Sequence, residues 1–436
     1  MEPLTIGIIG SAALIVLVVL GVRVAFAAAF VGIFGLVYMR GWPAGIGISG
    51  LIPHAESTHY TLSVLPMFIL IGYLAFYAGI TRGLFDAARK WCARIPGGLA
   101  VATIFATAGF AAVSGASTAT AAVFSRIAIP EMLRYGYDKR LAAACVAAGG
   151  TLASLIPPSA ILVVYGVIVE QSVGRLLVAG FIPGILSAFV YAAAIIIRVK
   201  ISPQLAPPVA ERFTLRDRLV SSQGFWPILF VVGFVMGGIY LGWMTPTESG
   251  ACAAGVVLVM AVMRRQMGWT DFFKALMETA KLTVMIFTII FSLLIFVRFL
   301  GFAGIQDSFK DWIVELPLPR IVILLIILAI YFVLGMFMDA IGMLMLTLPV
   351  IFPAVVALGY DPIWFGIIVV KLVEICLVTP PVGLNCFVVN GVRPDIPLDQ
   401  IFRGVWPFVV ADLAVVALLI AIPEIVTFLP NAMLGR

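Results

Sequence analysis

The segments LASLIPPSAILVVYG, residues 152–166, and ICLVTPPVGLNCFVV, residues 375–389, decide the fold of this chain. Each is apolar and each is interrupted at its centre by a proline pair, Pro157-Pro158 and Pro380-Pro381. Proline has no N–H to donate and its ring clashes with the preceding turn, so each pair predicts a broken helix with freed carbonyl groups. Broken apolar segments at corresponding positions of two halves point to the binding site of a transporter.

The two proline pairs belong to a repeat that covers the chain. The tripeptide Gly-Tyr-Asp recurs with the same spacing as the proline pairs, at 136–138 and 359–361. Trp91 matches Trp312 with a spacing that is shorter by only two positions. We therefore predict two diverged copies of one unit, residues 1–200 and 222–436, joined by a polar linker at 201–221.

Composition places the chain in the membrane. Of its 436 residues, 63% are hydrophobic and 11% are charged, and the mean hydropathy is +1.17. A soluble protein is about one quarter charged. Several charge-free runs exceed the roughly 20 residues that span a bilayer, which excludes a soluble protein. The net charge of +6 reports topology rather than nucleic-acid binding. The start of the chain lacks the basic residues of a signal peptide.

Loop charges predict that the two copies have opposite orientations. Segment 80–97 is basic, whereas its counterpart 303–320 carries more acids than bases. Segment 39–60 is nearly uncharged, whereas its counterpart 261–281 is basic, as is the linker. Because cytoplasmic loops are enriched in Lys and Arg, corresponding loops lie on opposite sides, with the N-terminus in the periplasm.

One apolar stretch in each copy leaves and re-enters the same side of the membrane. Residues 99–133 lie between two basic segments and have the small, polar centre Ser114-Gly115-Ala116-Ser117-Thr118. Residues 321–356 have the same form around 335–339. We therefore predict an all-α polytopic protein of two inverted repeats, each with about five transmembrane helices and one re-entrant hairpin. Helix breaks are expected at 156–159 and 379–383.

The breaks and hairpin tips are the predicted site. Non-helical backbone survives in a membrane only where protein or a wet cavity surrounds it. Freed carbonyls and hydroxyls suit a sodium ion, and half-helix N-termini suit a carboxylate. Packed kinks are the structural alternative. The hydroxyl candidates are Ser114, Ser117, Thr118, Thr151, Ser159 and Thr379.

Charged residues inside spans are the second group of candidates. Asp339, at the second hairpin centre, is expected either to ligate a cation or to cap a half-helix. Lys371 and Glu374 share one helix face, either as a structural pair or beside the pathway. Asp412 is expected to face a partner subunit, and Arg126 to extend to the cytoplasmic surface. No Walker A, GxSxG or HExxH pattern indicates an enzyme, so energy must come from an ion gradient or another chain.

Four motifs carry a resemblance to a known family. They are AAVSGASTATAAVFSRIAIPEMLRYGYD at 111–138, AGGTLASLIPPSAILVVYG at 148–166, GMFMDAIGMLMLTLPVIFPAVVALGYDP at 335–362 and LVTPPVGLNCFVVNGV at 377–392. Their order and spacing resemble the large membrane subunit of the tripartite ATP-independent periplasmic (TRAP) transporters, DctM type. The resemblance covers nearly the whole chain.

The resemblance implies a sodium-driven, elevator-type importer of a small organic acid in the bacterial inner membrane, with sodium ions for coupling and no other cofactor. It also implies two partners, a small four-helix membrane subunit, expected as a separate polypeptide, and a periplasmic substrate-binding protein.

The resemblance also assigns residues. It places sodium sites at Ser114, Gly115, Ser117, Thr151, Pro157 and Pro158, and at Gly335, Met338, Asp339, Thr379, Pro380 and Pro381. The substrate candidates are Ser117, Thr118, Ser159, Gly383 and Asn385. One departure is Ala116, since SGSS is common at the first tip. A stand-alone sodium-coupled anion carrier of the same architecture is the alternative, and it would not depend on a binding protein. A passive channel fits two opposed hairpins less well.

Overall fold

The first copy of the repeat forms ten α-helices among the residues that the structure describes. A computed structural model describes residues 2–208, 211 and 213–434, so residues 209, 210 and 212 of the linker and the two chain ends lie outside the described residues. The helices are α1 (Pro3–Val19), α2 (Val24–Arg40), α3 (Trp42–Ser57), α4 (Val64–Tyr77), α5 (Ile80–Cys92), α6 (Gly98–Ser114), α7 (Ser117–Arg134), α8 (Lys139–Thr151), α9 (Ala160–Ile168) and α10 (Val173–Ile201).

The second copy follows a short linker helix. The remaining helices are α11 (Leu215–Ser221), α12 (Trp226–Tyr240), α13 (Pro246–Met263), α14 (Trp269–Phe302), α15 (Ile305–Glu315), α16 (Arg320–Gly335), α17 (Ala340–Ala357), α18 (Pro362–Cys376), α19 (Leu384–Val392), α20 (Leu398–Ala421) and α21 (Glu424–Leu434). The order repeats: α1 corresponds to α12, α5 to α15, and the pair α6–α7 to the pair α16–α17.

The inverted-repeat fold predicted from the sequence is confirmed. Each copy has five spans and one helical hairpin, and in each copy the span that follows the hairpin is broken. Six helices are long and apolar enough to cross a membrane, or up to seven if the bent pair α11–α12 is counted as one span. Hairpin 1 (α6 and α7) turns at residues 115–116, and hairpin 2 (α16 and α17) turns at 336–339.

The third span differs between the copies. In the second copy it is the single helix α14, of 34 residues. In the first copy it is divided into α3, a 3₁₀ turn at Tyr60–Ser63, and α4. The polar residues Ser57, Thr58 and His59 at the division are weak helix formers, which explains why the helix ends there.

The broken helices lie at the centre of the molecule. Every residue of α8 from Leu141 to Thr151 is buried, as is every residue of α18 from Ile363 to Cys376. Hairpin 1 and α20 pack around α8, while α16, α10 and α20 pack around α18. By contrast, α1, α2, α12 and α14 expose large apolar side chains, including Ile15, Phe30, Phe230 and Val284. Such a surface suits lipid, and it leaves the polar backbone breaks buried in protein.

Two surface helices occupy equivalent places beside the hairpins. α5 and α15 each precede a hairpin. Arg89 on α5 forms ion pairs with Glu131 on α7 and, at 2.9 Å, with Glu211 of the linker. These contacts tie the base of hairpin 1 to the basic linker.

Candidate transport site

The tip of hairpin 1 lies directly on the first helix break. The carbonyl of Gly115 accepts a hydrogen bond of 3.4 Å from the N–H of Ala160, the first residue of α9. A methyl group added at Gly115 would lie 2.6 Å from the Pro158 carbonyl oxygen. Gly115 also has a φ of +60°, a conformation that glycine adopts without steric cost. Only glycine permits this approach of tip to break.

Hydroxyl groups surround that contact. Ser114 and Thr120 lie 2.8 Å apart through their side-chain oxygens, and Ser117 lies 2.7 Å from Ser154 in the same way. Ser159 donates to the carbonyl of Ser154 and caps α9 by accepting from the N–H of Leu162. A hydroxyl that donates its proton within the protein keeps lone pairs for a cation. The predicted residues Ser114, Gly115, Ser117, Pro158 and Ser159 therefore lie in one small region.

The tip of hairpin 2 meets the second break in the same way. The N–H of Val382 donates to the carbonyl of Met336 at 3.3 Å. A methyl group at Gly335 would lie 2.5 Å from the Cys376 sulfur, so this glycine also permits close packing. Thr379 donates its hydroxyl proton to the carbonyl of Ile375 at 2.5 Å. Both proline pairs contain a cis peptide bond.

Asp339 caps the half-helix that follows the second tip. Its side chain accepts a 2.9 Å hydrogen bond from the N–H of Gly342, and the residue is only partly buried. The structure therefore contains the helix cap, which is one of the two roles expected for Asp339 from the sequence. One carboxylate oxygen accepts this bond, and the carboxylate retains the lone pairs that a cation would use.

The second break also reaches into the first copy. α19 packs against α7 and α8, and α7 begins with Ser117 and Thr118. The Asn385 amide nitrogen donates to the carbonyl of Ala147 at 3.2 Å, while its buried amide oxygen has no partner among the described residues. Gly383, in the left-handed conformation with φ +54°, is the N-cap residue of α19. The predicted substrate residues thus belong to elements that pack together.

One cleft, the first cleft, reaches the tip of hairpin 1. Its volume is about 300 Å³, and it runs between α4, α7 and α14. It continues into a cavity of about 830 Å³ whose lining includes Arg82, Arg126, Arg264 and Lys274. Arg126, expected at the cytoplasmic surface, is exposed but lines both spaces. The lining of the first cleft includes Tyr73, Tyr77, Ser114, Ala116, Arg126 and Glu278.

A second cleft lies between the two copies, lined by α3 and α9 of the first and by α14 and α17 of the second. It has a volume of about 830 Å³, and its lining includes Leu294, Arg298 and Phe302. These are the counterparts of Ile69, Tyr73 and Tyr77 in the first cleft, in the register set by the sequence Ala-Gly-Ile at 78–80 and 303–305. Met345 of the second cleft is likewise the counterpart of Ala122 in the first. The second cleft does not include Phe337 or Asp339, the counterparts of Ser114 and Ala116. The described structure is therefore open toward a hairpin tip from one side.

A buried charged cluster was only partly expected from the sequence. Lys371 lies 2.8 Å from Glu374, as the spacing of the two residues indicated, and also 2.7 Å from Asp412. The prediction that Asp412 faces a partner subunit is therefore wrong. The residue is fully buried, and its other oxygen accepts from the Tyr191 hydroxyl at 2.5 Å. No local sequence signal indicated this pairing, since it joins α20 to α18 through three-dimensional packing.

Residues 11–425 match the family model described as the tripartite ATP-independent periplasmic transporter, DctM component. The chain belongs to the DctM family. It is 38% identical over 377 residues to the C4-dicarboxylate TRAP transporter large permease protein DctM of Pseudomonas aeruginosa, covering 86% of this chain and 87% of the relative.

Other relatives of this DctM chain carry different substrate names. It is 29% identical to the sialic acid TRAP transporter large permease protein SiaM of Vibrio cholerae, covering 95% and 96% of the two chains. It is 28% identical to the 2,3-diketo-L-gulonate TRAP transporter large permease protein YiaN of Escherichia coli, covering 94% and 95%. Among solved structures, the YdaH transporter of Alcanivorax borkumensis has a similar fold, with a TM-score of 0.53 and 14% identity over 81% of this chain and 84% of that one.

Proposed function

We propose that this chain is the substrate-translocating subunit of a sodium-coupled TRAP transporter that imports a small organic acid. The observation that carries the proposal is the duplicated contact between hairpin tip and helix break. Gly115 meets Ala160 in one copy, and Met336 meets Val382 in the other. Two such contacts in an inverted repeat, of which the first lies beside an open cleft, suit alternating access to a central site.

Sodium is the coupling ion in this proposal. Both contacts between tip and break carry hydroxyl and carbonyl oxygens, those of Ser114 and Gly115 in the first copy and of Thr379 and Met336 in the second. Oxygen ligands suit a hard cation of low charge. The sodium sites comprise the two sets of residues listed in the sequence analysis, with Asp339 as the acidic member of the second set. Thr151 and Pro157 belong to the break that faces the first set.

The transported substrate is a small carboxylic acid. The relatives are named for C4-dicarboxylate, sialic acid and 2,3-diketo-L-gulonate, and all of these carry a carboxylate. Each cleft of this chain is lined by an arginine, Arg126 or Arg298, and arginine binds carboxylates well. The candidate contacts for the acid are Ser117, Thr118, Ser159, Gly383 and Asn385, which belong to the first hairpin, the two helix breaks and α19.

Two further polypeptides complete the transporter in this proposal. They are a small four-helix membrane subunit, which fits the broad apolar surface of α1, α2, α12 and α14, and a periplasmic binding protein that delivers the acid. The basic loops at 80–97, 261–281 and the linker face the cytoplasm, so the complex lies in the bacterial inner membrane with the N-terminus of this chain in the periplasm.

Reconstitution tests the proposal. The purified chain is placed in proteoliposomes with its small subunit, and radiolabelled C4-dicarboxylate uptake is measured with a binding protein encoded beside it. Uptake should require an inward sodium gradient, the binding protein and the small subunit together. Sodium-driven uptake without the binding protein would favour the stand-alone carrier. Uptake that follows the acid gradient alone, with no response to sodium, would indicate a channel.

A further inference from the structure

Four buried polar side chains lie outside the proposed sodium and substrate residues. Lys371 and Glu374 are on α18, Asp412 is on α20 and Tyr191 is on α10, and all four are fully buried. The Lys371 ammonium lies 2.8 Å from Glu374, 2.7 Å from Asp412 and 5.5 Å from the centre of the Tyr191 ring. We call these four residues the buried cluster.

The buried cluster has an uneven charge count. It holds one cation and two carboxyl groups, so it carries an excess negative charge if both carboxyl groups are ionised. Among the described residues, no other Lys, Arg or His lies within ion-pairing distance of Glu374 or Asp412. An uncompensated charge buried in the membrane is costly, and such groups are normally neutralised.

The contacts of the two carboxyl groups distinguish them. Asp412 has a favourable neighbour at each oxygen: the Lys371 ammonium lies 2.7 Å from Oδ1, as an ion pair without hydrogen-bond geometry, and the Tyr191 hydroxyl donates to Oδ2 at 2.5 Å. Glu374 accepts from Lys371 at Oε2, while Oε1 is buried with no partner in the part of the chain that the structure describes. A cation and a hydroxyl donor together favour the ionised form, and an unpartnered buried oxygen favours the protonated form.

The elements packed around α18 supply no alternative counter-charge. Tyr165 on α9 donates its hydroxyl proton to the carbonyl of Pro362, and Tyr331 on α16 packs against Phe365. Arg198 on α10 donates to the carbonyl of Gly404 on α20. These groups are either neutral or engaged elsewhere, so the excess charge must be removed within the cluster.

The first helix break also lies close to Glu374. The backbone N–H of Leu155, in that break, is near the Glu374 carboxyl group. This N–H donates its hydrogen bond to the carbonyl of Leu152 at 3.2 Å. Glu374 therefore lies against the first break, where the Leu155 N–H is shared between the Leu152 carbonyl and the Glu374 carboxyl group.

The position of the cluster connects the two helix breaks. Glu374 is the repeat counterpart of Thr151, at the same spacing as the two proline pairs. Thr151 is the last residue of α8, just before the first break, and its hydroxyl lies 3.3 Å from the Tyr191 hydroxyl. Lys371 and Glu374 lie on the last turns of α18 before the second break.

We propose that Glu374 is kept as a neutral carboxylic acid, and that the resulting neutral cluster positions the two helix breaks relative to each other. Asp412 is then the ionised partner of Lys371, and the Tyr191 hydroxyl links Asp412 to the hydroxyl of Thr151. The positioning role rests on the proposed transport function, whereas the protonation state does not.

Infrared spectroscopy tests the protonation state without any transport measurement. Spectra of the purified chain at neutral pH, wild type minus Glu374→Gln, should contain a carboxylic acid C=O band that shifts in D₂O. A difference spectrum without this band would overturn the proposal. Asp412→Asn provides a second test if Glu374→Gln does not fold. It makes Glu374 the sole counter-ion of Lys371, so the acid band should disappear; persistence of the band would assign the proton elsewhere.

Sodium-dependent uptake tests the positioning role. Glu374→Gln keeps the neutral acceptor and should leave the half-saturating sodium concentration unchanged within error. Glu374→Ala removes the acceptor from Lys371 and should raise that concentration by about threefold or more, which is a typical effect of a coupled residue distant from the ligand. Glu315→Ala, on the exposed surface of α15, is the matched control.

The outcomes separate this inference from the proposed function. Equal sodium curves for Glu374→Ala and wild type would contradict positioning, even if the acid band is present. A strong loss of sodium-dependent uptake in folded Glu374→Gln would show that a charge is needed at this position and would overturn the neutral assignment. Absence of sodium-driven uptake in the wild type would contradict the proposed function and leave the infrared result standing.

Discussion

Single residues at the hairpin tips and breaks combine a structural role with a proposed sodium-binding role. Asp339 caps α17 by accepting a hydrogen bond from the N–H of Gly342. The hydroxyl groups of Ser114 and Thr379 are each hydrogen-bonded to another oxygen of the protein. None of these contacts uses all the lone pairs of the side-chain oxygens. The structural role and the proposed sodium role are therefore compatible in the same side chain, and substitution can separate them.

Asp339→Asn is expected to keep the fold and lose most sodium-driven uptake. Asparagine caps a helix about as well as aspartate, so the contact to Gly342 should survive, while the charge that balances the cation is lost. Asp361→Asn is the matched control, because Asp361 caps α18 at Trp364 by the same geometry away from either tip. If Asp339→Asn takes up substrate as fast as the wild type, with the same sodium dependence, Asp339 acts only as a helix cap.

Ser114→Ala and Thr379→Val should each raise the half-saturating sodium concentration. Loss of one oxygen ligand should cost on the order of 1–3 kcal/mol, as for a buried polar contact left unmade. Ser125→Ala is the control, since Ser125 is buried in the same hairpin as Ser114, on α7, and donates only to Ala121. Sodium titrations that superimpose for both variants and the control would move the cation site elsewhere.

At the scale of elements, the broken helices and hairpins were predictable and their partners were not. Pro157-Pro158, Pro380-Pro381 and the loop charges indicated both breaks and the opposite orientation of the copies, because proline chemistry and charge act locally. The pairing of Asp412 with Lys371 joins α20 to α18, and it depends on three-dimensional packing that no local pattern encodes. The same limit applies to Arg126, whose place in the first cleft depends on α4 and α14.

Gly115→Ala is expected to impair transport far more than its control Gly79→Ala. Both glycines have positive φ, +60° and +69°, so both substitutions introduce a left-handed alanine, at roughly 1–2 kcal/mol. Only at Gly115 would the methyl group also meet a neighbour, the Pro158 oxygen at 2.6 Å, whereas nothing lies within 4 Å of Gly79. Uptake by the two folded variants is compared, and equal activity would show that the tip tolerates separation from the break.

At the scale of the whole molecule, the two copies form one transport unit with two clefts. Only the first cleft reaches a hairpin tip in the described structure. An inverted repeat can exchange the roles of its two halves, so the opposite state should open the second cleft and close the first.

The orientation of the copies can be tested separately from transport. Single cysteines at positions 90 and 311, near the ends of α5 and α15, should react with a membrane-impermeant thiol reagent from opposite sides, in a background without the five native cysteines. Position 90 should be labelled only after the reagent reaches the cytoplasmic side. Labelling of both positions from the same side would contradict the inverted repeat.

Alternating access is the central claim, and paired accessibility of the two clefts tests it most directly. Cysteines at the equivalent positions Ala122 and Met345 are labelled from their own sides of proteoliposomes that contain the small subunit, with and without sodium, binding protein and substrate. The account predicts reciprocal changes, so that any condition that increases labelling at position 345 decreases it at position 122. Simultaneous high labelling of both positions under all conditions would describe an open pore and contradict the account.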